Sequence, residues 1–162
     1  MRALLRLCGA ALLLAQAVDA HAAHSCTVAV GTLAFGAYTG TQNNSSATMT
    51  IRCTRVLFDA RTLNYSAALS TGAGTFAQRR LTKAPDTLNY NLYLTTVPAV
   101  LNTSVWGDGT GGTVTASGAI TWPILDFAAR TVTHIVAGAI AGGAYPSAGL
   151  YQDTITVTLT YD

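Results

Sequence analysis

Histidine, cysteine, serine and carboxylate carry most enzymatic chemistry, and this chain spaces them poorly for it. Its histidines are His21, His24 and His134; only the last lies deep in the chain, so a histidine general base would have to be His134. A lone histidine on a strand is far more often packed or wetted than catalytic. No serine sits in a G-x-S-x-G elbow, and neither G-x-x-x-x-G-K nor H-E-x-x-H occurs. Every acid is Asp, and paired-carboxylate catalysis would need two of Asp59, Asp86, Asp108, Asp126 and Asp153 to converge. Asp108 lies in Trp106-Gly107-Asp108-Gly109-Thr110-Gly111-Gly112, which lacks the further acidic ligands of a calcium loop and reads as a turn. The expectation is a protein that is not an enzyme, with no cofactor and no metal.

The cysteines point to an oxidising compartment. Arg2 and Arg6 flank an apolar stretch over residues 4–18, and Ala20-His21-Ala22 fits a small-residue cleavage site. Residues 1–23 therefore read as a secretory signal peptide, too short for a membrane span, followed by one domain over residues 24–162. Cys8 leaves with the signal. Cys26 and Cys53 remain, and a disulfide between them is expected to stabilise the fold by about 3–4 kcal/mol in the chain-entropy model. Seven bases and six acids are left once Arg2, Arg6 and Asp19 are removed from nine and seven. A near-neutral chain offers no field for nucleic acid, and no other stretch is apolar enough to span a membrane after signal cleavage.

The elements that must carry these residues are strands. The chain has 162 residues, 50% of them hydrophobic and only 10% charged, with no Glu and a single Lys, Lys83. Helix surfaces need Glu, Lys, Gln and Arg, whereas 25 Thr and 15 Gly suit strands and turns. Apolar and polar residues alternate over residues 47–53, 62–70 and 88–94. The pattern is cleanest at the end, where Tyr151, Asp153, Ile155, Val157, Leu159 and Tyr161 alternate with Gln152 and four threonines. Residues 27–35 and 131–140 are less regular strands, and residues 113–121 are either a strand or an excursion. One buried and one wetted face per strand predicts an all-β antiparallel sandwich.

Several motifs occur in a familiar order: Phe35-Gly36-x-Tyr38, Ile51-Arg52-Cys53, Gly72-x-Gly74 followed by Arg79, and Leu88-Asn89-Tyr90-Asn91-Leu92-Tyr93. Trp106-Gly107-Asp108-Gly109 follows, then Pro146-x-x-Gly149-x-Tyr151-x-Asp153. From Cys26 to Asp162 the chain resembles the spore coat protein U domain family, whose members include secreted coat proteins and pilin subunits of archaic chaperone–usher pili. It departs at Ala137-Gly138, where the family pattern has an aromatic residue before the glycine.

The resemblance implies assembly. Such pilins look like immunoglobulin-like sandwiches that lack their last strand. A periplasmic chaperone, and then the N-terminal extension of another pilin subunit, supplies that strand beside an outer-membrane usher. The expected function is a secreted structural or adhesive pilus subunit, routed through the periplasm to the cell surface, that accepts a donor strand. Ile155, Val157, Leu159 and Tyr161 would face the core beside the acceptor groove, and Asp162 would bring a terminal carboxylate to the chaperone. Cleavage after Ala22 or Ala23 leaves too few residues before Cys26 for a donor strand of about ten, so a tip or end position is expected. Val100, Leu101 and Trp106 are either an apolar surface contact for such a tip or inter-strand packing. The alternative is a secreted spore- or cell-coat structural protein whose sandwich is complete by itself.

Overall fold

A computed structural model describes residues 24–95 and 104–162. Eight strands form: β1 (Ser25–Val30), β2 (Asn43–Thr54), β3 (Thr62–Leu69), β4 (Arg79–Lys83), β5 (Asp86–Thr95), β6 (Ala116–Thr121), β7 (Arg130–Ile140) and β8 (Val157–Tyr161). They build two sheets of an immunoglobulin-like sandwich, ordered β1-β2-β7-β5-β4 and β6-β3-β8. Every paired strand is antiparallel. The alternation has the expected outcome: Met49, Ile51, Cys53, Leu63, Tyr65, Ala67, Leu88, Tyr90 and Leu92 are buried between the sheets, while the threonines beside them face outward.

Trp106 and Trp122 are fully buried. Each indole finds a backbone acceptor, Trp106 Nε1 donating to Ala67 O at 2.9 Å and Trp122 Nε1 to Ala128 O at 2.8 Å, as buried indoles must.

Two strand boundaries and one whole strand differ from the sequence expectation. The strand expected over residues 27–35 ends at Val30. Beyond it the carbonyls of Ala34 and Phe35 accept side-chain bonds from Ser45 (2.6 Å) and Asn43 (2.7 Å) instead of ladder bonds. The last strand begins only at Val157. Gln152 pairs with Thr82 of the larger sheet in both directions, so residues 153–156 are spent crossing to the smaller one. Strand β4 was not foreseen, because Arg79 and Lys83 occupy two of its three odd-numbered positions and leave no apolar alternation to read. The open alternative at residues 113–121 resolves as β6.

Ala137, where the family pattern has an aromatic residue, is fully buried, and the glycine after it has a packing reason of its own. A Cβ on Gly138 would stand 2.7 Å from the Phe35 ring and 3.0 Å from Leu33. The segment after β1 thus lies directly on β7, and the glycine makes room for it.

Candidate assembly interface

Strand β8 pairs with β3 through Leu69↔Val157, Ala67↔Leu159 and Tyr65↔Tyr161, and it is the last strand of its sheet. One row of its backbone donors and acceptors has no strand partner among the described residues. Beside that edge runs a groove of about 330 Å³. All five strands of the larger sheet contribute to its floor and rim: Val30 from β1, Ala47 from β2, Val136 from β7, Tyr90 and Leu92 from β5, and Leu81 from β4. Asp153 and Ile155 of the crossing segment, Val157 of β8, and Leu33 and Phe35 after β1 line it as well. Apolar positions around it, including Leu33, Phe35, Leu81, Ile155 and Val157, are only partly buried although they pack on the core. The groove therefore leaves apolar surface in water.

The residues expected at this edge are distributed along it. Ile155 and Val157 line the groove, and Leu159 packs on the core beyond it. Tyr161 is 39% exposed; its hydroxyl accepts a long hydrogen bond from Cys26 N at 3.4 Å, which links β8 to β1 across the gap between the sheets. The Asp162 side chain accepts from Asn64 Nδ2 and Asn64 N, both at 2.8 Å. Those two bonds hold its carboxyl below the usual range. The Cys26–Cys53 disulfide is present. It joins two residues directly opposite in the β1–β2 register and so fastens the strand that carries Val30.

The surface-contact expectation needs correction at Trp106. That side chain is fully buried, stacked edge-on to His134 at 6.3 Å, and its size and indole bond make it core. Val100 and Leu101 lie outside the described residues. Large apolar side chains do stand in water elsewhere: Val56, Leu57 and Phe58 in one turn, Ile124 and Leu125 in another, at 56–90% exposure. The two turns are built alike. Asp59 N donates to Val56 O and Asp126 N to Pro123 O, both at 3.2 Å, while Phe58 and Leu125 hold φ of 79° and 62°. This is type II turn geometry, whose third residue is ordinarily glycine. The turns are fastened together below their tips, with Trp122 N donating to Arg61 O and Arg61 Nε to Trp122 O. Both adjoin the Cys53 and Arg130 ends of β2 and β7. Across the larger sheet the groove residues of β2, β5 and β7 lie towards the Ile140 end.

Two polar residues among the family landmarks, Arg79 and Asp153, organise the surroundings of the groove. Arg79 is fully buried and donates to Ser70 O, Asn91 Oδ1 and Trp106 O at 2.7–2.9 Å. Desolvation pushes its guanidinium down from the ordinary value, against the pull of Tyr90 and Asp153. Asp153 Oδ1 accepts from Ala73 N and Thr154 N, and Oδ2 from the Tyr90 hydroxyl at 2.7 Å. Burial first, and this bond second, push the Tyr90 phenol well up. Gly72 is required here, since a Cβ would meet the Asp153 carboxylate.

His134 is a packed residue. Its Nε2 lies 3.0 Å from the Tyr65 hydroxyl, a hydrogen bond across the sandwich, and burial holds its imidazole below the ordinary 6.5. The unfolded chain thus takes up this proton at a higher pH than the folded one. Stability is expected to be unaffected by His134 above about pH 6.5, to fall as the pH drops through that value, and to level off below the lower folded value. Urea midpoints measured across that range should slope in the native chain and slope less in His134→Gln.

Ser147 lies between Lys83 Nζ, at 2.7 Å, and Asp86. The cluster ties the loop after β7 to the β4–β5 hairpin.

Comparison with known proteins agrees with this architecture. A family model described as the Spore Coat Protein U domain matches residues 12–158. Among curated proteins none matches the chain. A solved structure with the same fold is the CsuC–CsuE chaperone–tip adhesion subunit pre-assembly complex from archaic chaperone-usher Csu pili of Acinetobacter baumannii. The TM-score is 0.53 at 20% identity, and the match covers 85% of this chain and 39% of that one. The family match spans nearly the whole chain, both sheets and the groove between them, and the protein belongs to the Spore Coat Protein U domain family.

Proposed function

We propose that this protein is a secreted structural and adhesive subunit of an archaic chaperone–usher pilus, exported through the periplasm to the cell surface once residues 1–23 are removed as a signal peptide. Its groove accepts an extended strand, first from a periplasmic chaperone and then from another pilin subunit delivered at an outer-membrane usher. The observation that carries this reading is the coincidence of a free β8 edge with an apolar slot floored by all five strands of the opposite sheet. Backbone pairing along the edge supplies affinity and side chains entering the slot supply register. Asp162, in line with the same strand, brings its terminal carboxylate to the chaperone, while its side chain is held by Asn64 of β3. Material recovered from the native periplasm is expected to run as a heat-sensitive adduct on unheated denaturing gels. Ala47→Trp, which fills the groove floor, is expected to abolish the adduct. A monomer that refolds unaided and forms no adduct would overturn the reading in favour of a self-sufficient coat protein.

The apolar turns support a place at the fibre tip. Holding a bulky residue at positive φ costs on the order of 1 kcal/mol, and such strain persists where function uses the conformation. The turns also stand away from the groove, so a strand docked there leaves them free. The double variant Phe58→Gly, Leu125→Gly is expected to gain roughly 1–2 kcal/mol in urea unfolding through relief of that strain. It should meanwhile lose most attachment of whole cells to an apolar surface. Unchanged attachment with secretion intact would remove the turns from adhesion.

A further inference from the structure

Asp153 is the one charged side chain lining the groove, and among the described residues no lysine or arginine forms an ion pair with it, although the buried Arg79 feels its charge. Among the described residues the sole ion pair is Arg130–Asp126, and the hydrogen bonds of Arg79 go to Ser70, Asn91 and Trp106. Its acceptor capacity is partly used. Oδ1 takes two backbone N–H groups and Oδ2 takes one hydroxyl, which leaves one lone-pair site on Oδ2. Asp153 shares the inward row with Ile155 and Val157, and it sits where the groove reaches Tyr90 and Leu81. A strand laid in the groove removes this carboxylate from water. Burying it is tolerable only if the incoming strand brings a hydrogen-bond donor or a positive charge to that point.

We propose that Asp153 reads the register of the incoming strand, selecting a segment of alternating apolar residues that carries a lysine, arginine or hydroxyl side chain at the inward position meeting Oδ2, and rejecting a carboxylate there. This inference rests on the reading of the groove as a strand acceptor. It narrows the partner to one chemical class, an apolar β-strand with a single donor-bearing residue toward the Leu81 end. Every other lining position is apolar or small, apart from Thr32 and the Tyr90 hydroxyl that already bonds Asp153. One polar residue in an apolar row fixes register because any slip by two places buries it without a partner.

The test uses the full chain and synthetic ten-residue peptides of alternating apolar sequence, in which one inward position at a time is Val, Ser, Lys or Glu. Binding is followed by fluorescence anisotropy of labelled peptides. One inward position should favour Lys over Glu by at least about tenfold, the order expected of a desolvated charge contact. Asp153→Asn should remove most of that preference while the all-Val peptide still binds. Peptides that bind with no position favouring Lys would overturn this inference and leave the acceptor reading standing. Failure of every peptide, the all-Val one included, would overturn both. The decision rests on the native chain, so a poorly folded Asp153→Asn variant does not spoil it.

Discussion

Replacing Arg79 by methionine is expected to destabilise the protein by about 2–5 kcal/mol, the range for stranding buried acceptors that a charged donor had satisfied. Methionine keeps the apolar stem and much of the volume, so cavity formation is minor and the loss reports the hydrogen bonds. Ser70 O, Asn91 Oδ1 and Trp106 O would each lose a donor. Ser70 also joins the smaller sheet to the crossing segment, its N–H donating to Thr156 O and its hydroxyl accepting from Thr156 N. The damage therefore reaches the start of the edge strand β8. Removing a desolvated cation returns some free energy, which places the expectation below the sum of three bonds. Arg79→Lys restores the charge without the planar fork and should fall between the two. Urea unfolding with the disulfide intact measures both. A loss under about 1 kcal/mol for methionine would mean that the guanidinium's burial cost had cancelled its bonds. Against a total of roughly 5–15 kcal/mol for a domain, the expected loss is enough to lower the recovered yield.

Removing the disulfide by Cys26→Ser with Cys53→Ser is expected to cost about 3–4 kcal/mol, from freeing the loop that the bond closes in the unfolded chain. Its position makes the consequence local as well as global. Strand β1 pairs only with β2 and carries Val28 against the core and Val30 at the groove. Without the bond the first strand can peel away, exposing a second edge and widening the groove from the opposite side. Thermal unfolding should show the lower midpoint, and a reducing agent should reproduce it in the native chain. Equal midpoints for variant and native protein would show that β1 is held by its ladder alone. Lower periplasmic yield is expected to accompany the loss, because a peeled edge strand is an aggregation hazard.

These effects bear on one surface. Arg79 supports the β3 side of the slot, the disulfide supports the β1 side, and Asp153 stands within it. A fold that leaves one slot open has to brace both sides of it from within a single chain, since among the described residues only the long Cys26–Tyr161 bond links β1 to β8 across it.

Much of this protein was determined by its sequence alone. Period-two alternation specified strands because side chains of an extended backbone point alternately to the two faces. It placed the inward rows of β2, β3 and β5 without ambiguity. Two cysteines remaining after residue 23 left one pairing, and the ordered motifs identified the family. Strand β4 was illegible, because its inward Arg79 obtains its hydrogen bonds from residues as distant in sequence as Trp106, and no local pattern announces a buried guanidinium. The extent of the last strand was misread for a related reason. Alternation continues from Tyr151 to Tyr161, but which residues pair depends on which sheet the backbone is beside, and residues 153–156 are in transit between two. For Trp106, in a loop of glycines, the sequence leaves surface contact and inter-strand packing both open, and the sandwich closing over it decides for packing. The apolar turns carry no sequence mark, because Val56-Leu57-Phe58-Asp59 and Pro123-Ile124-Leu125-Asp126 have the composition of buried segments. Only the tertiary structure decides that Phe58 and Leu125 point outward, since exposure belongs to how elements pack and leaves no trace in a residue's own type.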